Sequence, residues 1–415
     1  MLAWPDIYRP SLPTTIIRPD LRLRHSYSGE MVTISCSKTF TMYVCGITPY
    51  DATHIGHAAT YLTFDLVHRY LKAIGVDVRF LENVTDIDDP LFERAARDGI
   101  DWKTLGDDQL RLFISDMTNL RVLPPMELST VTEAMPRILA FITDLQEHGL
   151  TYQIDSDTYL DAAKVSDFSD LPMQMDQALK IFSERGGDPG RAGKRHPLDP
   201  LLWRSSADGE PEWVSPFGAG RPGWHVECNA ISSALLNGDG NSPLSLQGGG
   251  ADLRFPHHYM TSLQGKARSG HDFASLYVHA GMIRYRGEKM SKSLGNLVFV
   301  SQLVDSGVHP MAIRLALISG HYRDERDWSD ALLREGERLI DGLLRTLAKE
   351  RILPYVKLMD SIMDALADDL DTPRVCSLLD EAIRINDSNP ESSRSDLMKP
   401  GTLARFLDTV LGIAL

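Results

Sequence analysis

An apolar stretch near residue 40 is followed by a long helical pattern and then by a second apolar stretch. The segment "FTMYVCG" (40–46) predicts a short buried strand, because it combines β-branched and aromatic residues and ends at a glycine. The pattern "HAATYLTFDLVHRYLKAIG" predicts a helix that ends at Gly75, and "VDVRFLENVTD" predicts a second strand. Residues 41–85 therefore predict a βαβ unit, and the expected fold class is α/β with a parallel sheet.

The remaining patterns predict that this sheet is split by an insertion. Residues 90–150 have mostly helical periodicity, whereas 151–210 are rich in Gly, Pro and Asp and are expected to be irregular. A helix at "WHVECNAISSALL" and strands at "LSLQG" and "SLYVHAGM" predict the second half of the sheet. The chain from 309 onward is predicted to be helical, with a break at "NDSNPESSRSD".

We therefore expect five regions along the chain. They are an N-terminal extension (1–40), the first half of a catalytic domain (41–150), an insertion (151–214), the second half of the catalytic domain (215–300) and a helical C-terminal region (301–415).

The composition is that of a globular protein of 415 residues, of which 43% are hydrophobic. The four cysteines lie far apart and form no disulfide framework, which favours a reducing compartment, and we expect a cytoplasmic protein. The N-terminus has no signal-peptide pattern, and no stretch approaches the roughly 18 apolar residues of a membrane span. A formal charge of −14 gives no general attraction to nucleic acid, although it does not exclude a local basic patch.

Two short motifs suggest phosphate chemistry. His54 and His57 flank Gly56 where the first strand meets a helix N-terminus, a place that suits anion binding. An isolated histidine pair of this kind is more often a surface feature, and Lys289 and Lys292 of "EKMSKSLGN" alone suggest a solvated loop. Taken together and in this order, "HIGH" and "KMSKS" resemble the motifs of the class I aminoacyl-tRNA synthetases.

That resemblance implies a Rossmann-like domain in which His54, His57, Lys289 and Lys292 surround the triphosphate of ATP. The implied reaction is attack of an amino-acid carboxylate on the α-phosphate, which gives an aminoacyl adenylate and pyrophosphate. Cations and N–H donors would stabilise the charge on the phosphoryl oxygens, with Mg²⁺ on the leaving pyrophosphate.

Cys45, Cys228 and His257 are candidate zinc ligands, although their spacings of 183 and 29 residues, taken alone, favour buried thiols and a core histidine. Residues 40–325 are similar to the cysteinyl-tRNA synthetases through "NVTDIDDP", "SPFGAGRPGWHVEC" and "GGGADLRFPHH". This similarity implies one zinc ion that takes the thiolate of substrate L-cysteine. Trp224 would line the cysteine pocket, and Thr261 stands where those synthetases have a fourth ligand, a glutamate.

Other segments resemble the cysteine ligases of mycothiol biosynthesis more specifically, above all "ERGGDP" (184–189) and "CGITPYDATHIGHAATYLTFDLVHR". The 122 residues after Ser293 also hold 14 Lys and Arg against 20 Asp and Glu, with no evident anticodon-binding module. The resemblance implies transfer of cysteine to the amine of glucosaminyl-inositol, no nucleic-acid partner and a monomer. It also implies an adenylate pocket formed by Cys45, Gly46, Ile47, Thr48, Thr60, Asn83, Val84, Thr85, Trp224, Gly250, Ala251, Asp252 and Ile283.

Two alternatives remain open from the sequence. One is a truncated cysteinyl-tRNA synthetase, which shares the first reaction step and uses a tRNA hydroxyl as acceptor. The other is a non-catalytic paralogue that binds zinc or nucleotide, against which the intact histidines and lysines of both motifs argue. Ala251 replaces a commoner serine of the ligases, and Cys36 and Cys376 match no site and are expected to pack in the core.

Overall fold

The computed structural model describes residues 3–13, 15–35, 39–206, 210–236, 242–291, 294–353, 355–388 and 398–415. Of the residues singled out above, Cys36 and Lys292 lie outside these ranges, and their roles stay predictions. Among the described residues, no helix is both long and apolar enough to cross a lipid bilayer.

Strands and helices alternate through the first three quarters of the chain, and helices dominate the rest. The strands are β1 (Leu21–Arg24), β2 (Met31–Ile34), β3 (Phe40–Ile47), β4 (Val78–Val84), β5 (Glu127–Thr130), β6 (Thr151–Ile154), β7 (Asp157–Leu160), β8 (Leu201–Arg204), β9 (Arg221–Pro222), β10 (Leu246–Gly250), β11 (Tyr277–Ala280), β12 (Ile283–Tyr285), β13 (Glu288–Lys289) and β14 (Arg326–Trp328). The helices are α1 (Ile55–Ile74), α2 (Asp89–Asp98), α3 (Trp102–Asn119), α4 (Val131–Glu147), α5 (Met175–Glu184), α6 (Trp224–Leu236), α7 (Tyr259–Ser269), α8 (Val300–Asp305), α9 (Pro310–Ile318), α10 (Asp330–Leu347), α11 (Val356–Ala367), α12 (Thr372–Ser388) and α13 (Pro400–Leu411).

The central sheet has five parallel strands in the order β11-β10-β3-β4-β5. Because β3 lies in the middle, the chain adds β4 and β5 on one side of it and β10 and β11 on the other. Strand order therefore reverses between β3 and β10, and at such a point a crevice opens at the carboxyl ends of the strands. The predicted α/β class, the βαβ unit and the split parallel sheet are confirmed.

Helix α1 is enclosed on both sides, by the sheet and by the C-terminal helices. It ends at Gly75, whose φ of 97° is the left-handed conformation that glycine adopts readily, as predicted. On the outer side, buried Asp65 accepts a hydrogen bond from Arg69 of the same helix at 2.8 Å and also pairs with buried Arg314 of α9. One continuous hydrophobic core runs from the sheet through α1 into α9–α13. The helical prediction for the C-terminal region is confirmed, and its helices share the core of the catalytic sheet.

The prediction that residues 151–210 are irregular is wrong. They contain β6, β7, β8 and α5, and the strands form a four-stranded antiparallel sheet with β9. Each strand spans four residues or fewer, and β6 carries little buried surface, so the alternation that marks a strand is too short to see in the sequence. The division of the chain into domains stays a prediction.

Candidate active site and metal centre

The first motif forms the N-terminus of α1 at the crevice. His54 is the N-cap residue, and its Nδ1 accepts a hydrogen bond from the backbone N–H of Gly56 at 3.1 Å. The rings of His54 and His57 stack with centroids 3.8 Å apart. A Cβ on Gly56 would lie 2.9 Å from the His54 ring, so only glycine leaves room for this cap. The sequence prediction that both histidines meet at a helix N-terminus is confirmed.

The second motif begins at Lys289, the last residue of β13, and its described residues Lys289, Met290 and Ser291 line the same cavity as the first motif. The side chain of Asn296 closes this loop, because it accepts from the N–H of Ser291 at 2.8 Å and donates to the carbonyl of Lys289 at 3.2 Å. Downstream of the loop, the N–H of Ile55 donates to the carbonyl of Val298 at 2.9 Å. The backbone therefore ties the segment after "KMSKS" to the start of α1, although the two are far apart in sequence.

A cavity of about 450 Å³ lies between the two motifs. Its lining includes eight of the predicted catalytic and nucleotide-binding residues, namely Thr48, His54, His57, Thr60, Gly250, Asp252, Ile283 and Lys289. An adjoining cavity of about 270 Å³ shares Asp252 and Lys289 with it and is also lined by Ala251 and Arg185. We call the two together the ATP cleft, because their size and their position at the helix N-terminus suit a nucleotide.

Both histidines of the cleft are neutral at physiological pH. Burial is the main cause that lowers the pKa of His54 to about 3 and the pKa of His57 to about 4. The neighbouring His57 and Lys289 also lower the pKa of His54. Asp51 and Asp252 act in the opposite direction and raise it. A neutral imidazole can donate or accept one hydrogen bond without adding charge, so the positive charge on the described lining of the cleft comes from Lys289, Arg185 and Arg284.

We therefore expect neither histidine to titrate between about pH 8 and pH 5 in the nucleotide-free protein, whereas a solvent-exposed histidine has a pKa of about 6.5. Histidine ring resonances followed by NMR would test this, with His54→Gln and His57→Gln variants for assignment. As the pH falls, these two rings are protonated in the unfolded chain before they are protonated in the folded protein. Their contribution to the free energy of unfolding is therefore retained above about pH 6.5 and decreases as the pH drops toward the folded-state pKa values. A midpoint near 6.5 for either ring would contradict the prediction.

The carboxyl ends of β3 and β4 are joined by the side chain of Asn83. Its Oδ1 accepts from the N–H of Gly46 at 3.0 Å and from the hydroxyl of Tyr43 at 2.8 Å, while its Nδ2 donates to Thr85 at 3.2 Å. A Cβ on Gly46 would lie 1.5 Å from the carbonyl oxygen of Asn83, so the backbones approach too closely for any other residue. Ile47 and Val84 pair beside this contact. These predicted adenylate contacts form one rigid floor next to the ATP cleft.

The three predicted metal ligands meet at this same edge of the sheet. Cys45 lies near the carboxyl end of β3, Cys228 lies on α6 and His257 lies in the short helical segment before α7, and all three side chains are buried. Their ligand atoms all lie within 4.8 Å of one another. Cys45 Sγ is 3.9 Å from Cys228 Sγ, which is 3.2 Å from His257 Nε2. We call these three residues the Cys/Cys/His cluster.

Charge in this cluster favours one thiolate. Although burial alone would raise the pKa of Cys228, the hydrogen bond from Cys45 and the nearby His257 lower it well below its ordinary value. Burial and the neighbouring Cys228 raise the pKa of Cys45. Deprotonated thiols and a neutral imidazole are the donors that zinc prefers, so the cluster fits a zinc ion.

The cluster is supported by three further histidines that the sequence analysis missed. His257 Nδ1 is 3.0 Å from His225 Nδ1, and its ring stacks on Trp224 with centroids 4.3 Å apart. His258 Nε2 is 3.2 Å from Cys45 Sγ, and its Nδ1 is 2.8 Å from His279 Nε2. Such contacts fix the orientation and tautomer of a ligating imidazole. The doublets "WH" and "HH" could have suggested this, but single histidines carry little signal.

Thr261 lies in the position that a fourth ligand has in the cysteinyl-tRNA synthetases. It is fully buried one turn after His257, and its hydroxyl donates to the carbonyl of His257 at 2.8 Å. Its side chain therefore stabilises the backbone of the helix. Cys376 is buried in the core outside the site, as predicted for a packing residue.

Arg185 is a second feature whose position only the structure reveals. It ends α5 at the start of "ERGGDP", and its guanidinium donates to the backbone carbonyl of Asp252 in the ATP cleft. Asp188 of the same motif accepts from Tyr159 at 2.5 Å and from Lys194 at 2.8 Å, which anchors the turn to the antiparallel sheet. The insertion thus contacts the nucleotide-binding edge directly.

Comparisons with known proteins agree with this geometry. The family model described as "tRNA synthetases class I (C) catalytic domain" matches residues 31–338. A relative from Acidothermus cellulolyticus, named L-cysteine:1D-myo-inositol 2-amino-2-deoxy-alpha-D-glucopyranoside ligase, is 45% identical over the full length of both chains. A relative of the same name from Rhodococcus erythropolis is 46% identical, also over the full length of both.

Solved structures of class I synthetases share the fold. A Mycobacterium tuberculosis methionyl-tRNA synthetase in complex with methionyl-adenylate aligns with a TM-score of 0.63 over 90% of this chain and 88% of that chain, at 16% identity. A LeuRS from Agrobacterium radiobacter aligns with a TM-score of 0.64 over 91% of this chain and 84% of its own, at 12% identity. At such identities the likeness concerns the fold alone. From the full-length relatives and the matched domain, the chain belongs to the family of L-cysteine:1D-myo-inositol 2-amino-2-deoxy-alpha-D-glucopyranoside ligases, which is built on the class I synthetase catalytic domain.

Proposed function

We propose that this protein is an ATP-dependent ligase that activates L-cysteine as cysteinyl adenylate and transfers it to the amine of 1D-myo-inositol 2-amino-2-deoxy-α-D-glucopyranoside, here called glucosaminyl-inositol. The observation that carries the proposal is the position of the Cys/Cys/His cluster, which lies beside the ATP cleft at one edge of the sheet. Full-length relatives with this name support it. We propose that its substrates are small molecules and that it acts as a monomer in the cytoplasm.

The Cys/Cys/His cluster is the proposed recognition site for the side chain of cysteine. A zinc ion held by Cys45, Cys228 and His257 would supply a Lewis-acidic position for a thiolate. The stacked ring of Trp224 and the contact with His225 hold the imidazole of His257 in one orientation. Serine, whose hydroxyl stays protonated and coordinates poorly, would be rejected at this site.

In the first step, the cysteine carboxylate attacks the α-phosphorus of ATP, a P–O bond forms and the bond to pyrophosphate breaks. The partial positive charge at the start of α1 and the ammonium group of Lys289, which lines the cleft, would stabilise the charge that develops on the phosphoryl oxygens, and the sequence motif assigns the same role to Lys292. The neutral rings of His54 and His57 add hydrogen bonds. We propose that Mg²⁺ accompanies ATP as the counterion of the pyrophosphate.

In the second step, the uncharged amine of glucosaminyl-inositol attacks the acyl carbon of the adenylate. A C–N bond forms, the C–O bond to AMP breaks and the amine loses a proton. The floor made by Asn83, Gly46 and Thr85 holds the backbone against which the acyl group lies. The products are the amide, AMP and the pyrophosphate of the first step.

A sugar amine is a better acceptor than tRNA for this surface. Binding of tRNA depends on many lysines and arginines spread along the protein, whereas residues 294–415 hold 14 Lys and Arg against 20 Asp and Glu. A small acceptor needs only a polar pocket beside the adenylate.

We therefore expect AMP release and amide formation when glucosaminyl-inositol is added to enzyme, ATP and cysteine, with no stable transfer of cysteine to tRNA. Radiolabelled cysteine with either acceptor, followed by chromatography and acid precipitation, would measure both. Enzyme without acceptor is the control, and it should still exchange pyrophosphate into ATP when cysteine is present. Charging of tRNA without amide formation would favour a truncated cysteinyl-tRNA synthetase instead.

A further inference from the structure

A second cavity lies beside the ATP cleft, at the carboxyl ends of β4 and β5. Its volume is about 470 Å³, similar to that of the main part of the cleft. The loop before α1 separates the two spaces, because Pro49 lines this cavity whereas Thr48 and Tyr50 line the cleft. We call this space the side cavity. Nothing in the two proposed steps has yet used it.

The side cavity touches the residues that hold the acyl group. Val84 lines it, and Val84 follows Asn83 in the floor beside the metal cluster. The separating loop is held in place by Arg94 of α2, which bonds the carbonyl of Tyr50 and the Asp51 carboxylate, the latter at 3.1 Å. Pro49 and Val84 therefore connect the wall of the side cavity to the loop that lines the ATP cleft and to the floor beside the metal cluster.

Charged groups of both signs line the side cavity, and the side chains of three of them have no partner among the described residues. The side chains of Lys103, Asp107 and Glu133 form no hydrogen bond or ion pair with another described residue, and Lys103 only lies over the ring of Trp102 at 5.3 Å. Trp102 itself is half-buried and fixed edge-on by Phe92, with centroids 5.4 Å apart. The cavity thus offers an aromatic surface with separate donors and acceptors around it.

This combination suits an uncharged molecule with many hydroxyl groups. Each hydroxyl can donate to a carboxylate and accept from an ammonium group, and an aromatic ring packs against the C–H face of a saturated ring. Asp86, Asp107 and Glu133 outnumber Lys103 and Arg111, so a polyphosphate chain would meet net repulsion here.

We propose that the side cavity binds the hydroxyl-rich cyclitol end of the acceptor and directs its amine past Val84 to the acyl carbon. Asp107 and Glu133 accept hydrogen bonds from the ring hydroxyls, Lys103 donates to them, and Trp102 packs against the ring. This inference rests on the proposed function and adds the residues that select the acceptor. A pocket of this volume holds a molecule of two linked six-membered rings.

The test separates acceptor binding from cysteine activation. Asp107→Asn and Glu133→Gln each replace a charged acceptor by a neutral amide, and both residues are exposed, so folding should tolerate the change. We expect each to raise the KM for glucosaminyl-inositol by about 10-fold or more, because a hydroxyl donates a stronger hydrogen bond to a carboxylate than to a neutral amide. Pyrophosphate exchange, which needs no acceptor, should change by less than about twofold.

Glu93→Gln on α2 is the matched control, since Glu93 is exposed, carries the same charge and does not line the side cavity. Trp102→Ala should raise the same KM, and Trp102→Phe should restore part of the loss. If wild-type enzyme forms the amide and the Asp107, Glu133 and Trp102 variants all keep the wild-type KM for glucosaminyl-inositol, the side cavity does not bind the acceptor, while the proposed function stands. Loss of pyrophosphate exchange in the Asp107 or Glu133 variant would also overturn the inference. If wild-type enzyme exchanges pyrophosphate but forms no amide, the proposed function itself fails, and the inference with it.

Discussion

Cys228→Ala is expected to abolish zinc binding and to lower cysteine-dependent pyrophosphate exchange by at least about 100-fold. Loss of residues that merely support a metal ligand costs about 10–100-fold in affinity or activity, so loss of a direct thiolate ligand should cost at least the upper end. Cys228 is also the thiol whose pKa its neighbours lower, so it is the thiol that most readily provides the thiolate that a zinc ion binds. Metal analysis of the purified protein, with exchange assays on the same samples, measures both effects. Wild type should hold about one zinc per chain.

Cys376→Ala is the matched control for this experiment. Cys376 is a buried thiol like Cys228, but it lies in the core that includes the C-terminal helices, away from the Cys/Cys/His cluster. The Cys376→Ala variant should keep its zinc and its exchange activity even if its free energy of unfolding falls by about 1 kcal/mol, as expected when a small side chain in the core is shortened. Full exchange activity in metal-free wild-type protein, or in Cys228→Ala, would refute the metal site.

Lys289→Ala is expected to slow adenylate formation by about 100-fold or more while it changes the affinity for cysteine little. Lys289 lines the ATP cleft and lies close enough to His54 to lower the pKa of that ring. In the proposed mechanism its ammonium group stabilises charge that accumulates on the phosphates in the transition state, and removal of one such stabilising group typically costs about 100–1,000-fold in rate. The same result is predicted for Lys292→Ala from the sequence motif.

Single-turnover formation of adenylate, measured at saturating and limiting cysteine, separates rate from binding. Lys357→Ala removes an exposed lysine of α11 and should leave both quantities unchanged. An unchanged rate in the Lys289 variant would indicate that this loop is a solvated segment without a catalytic role. A rate loss accompanied by an equal loss of cysteine affinity would instead indicate a general disturbance of the site.

Much of the sheet around the active site could be predicted from local patterns. The strand that contains Cys45, the helix that ends at Gly75 and the following strand each depend on residues within a few positions of one another, so their patterns are visible in one sequence. The antiparallel strands of the insertion were missed, because each is short and its partners come from distant segments, such as Thr158 opposite Trp203. Pairing of this kind is decided by packing and leaves little local trace.

The candidate site divides in the same way. The residues His54, His57 and Lys289 were predicted to form a phosphate site because the order of the two motifs resembles that of the class I synthetases, and the structure places all three around one cavity. The metal ligands were chosen by resemblance, since spacings of 183 and 29 residues carry no geometric information of their own. Only the folded chain brings their donor atoms within 4.8 Å of one another.

The sequence by itself determined the class of sheet, the position of the helix that begins at the histidine motif and the family to which the two motifs belong. Only the tertiary structure decided that Arg185 of the insertion reaches the backbone of Asp252, that His225 and His258 support the metal ligands, and that a charged cavity opens beside Val84. The physical reason is range: secondary structure follows from interactions over one or two turns, whereas these contacts form only when the strand order of the sheet places distant segments side by side.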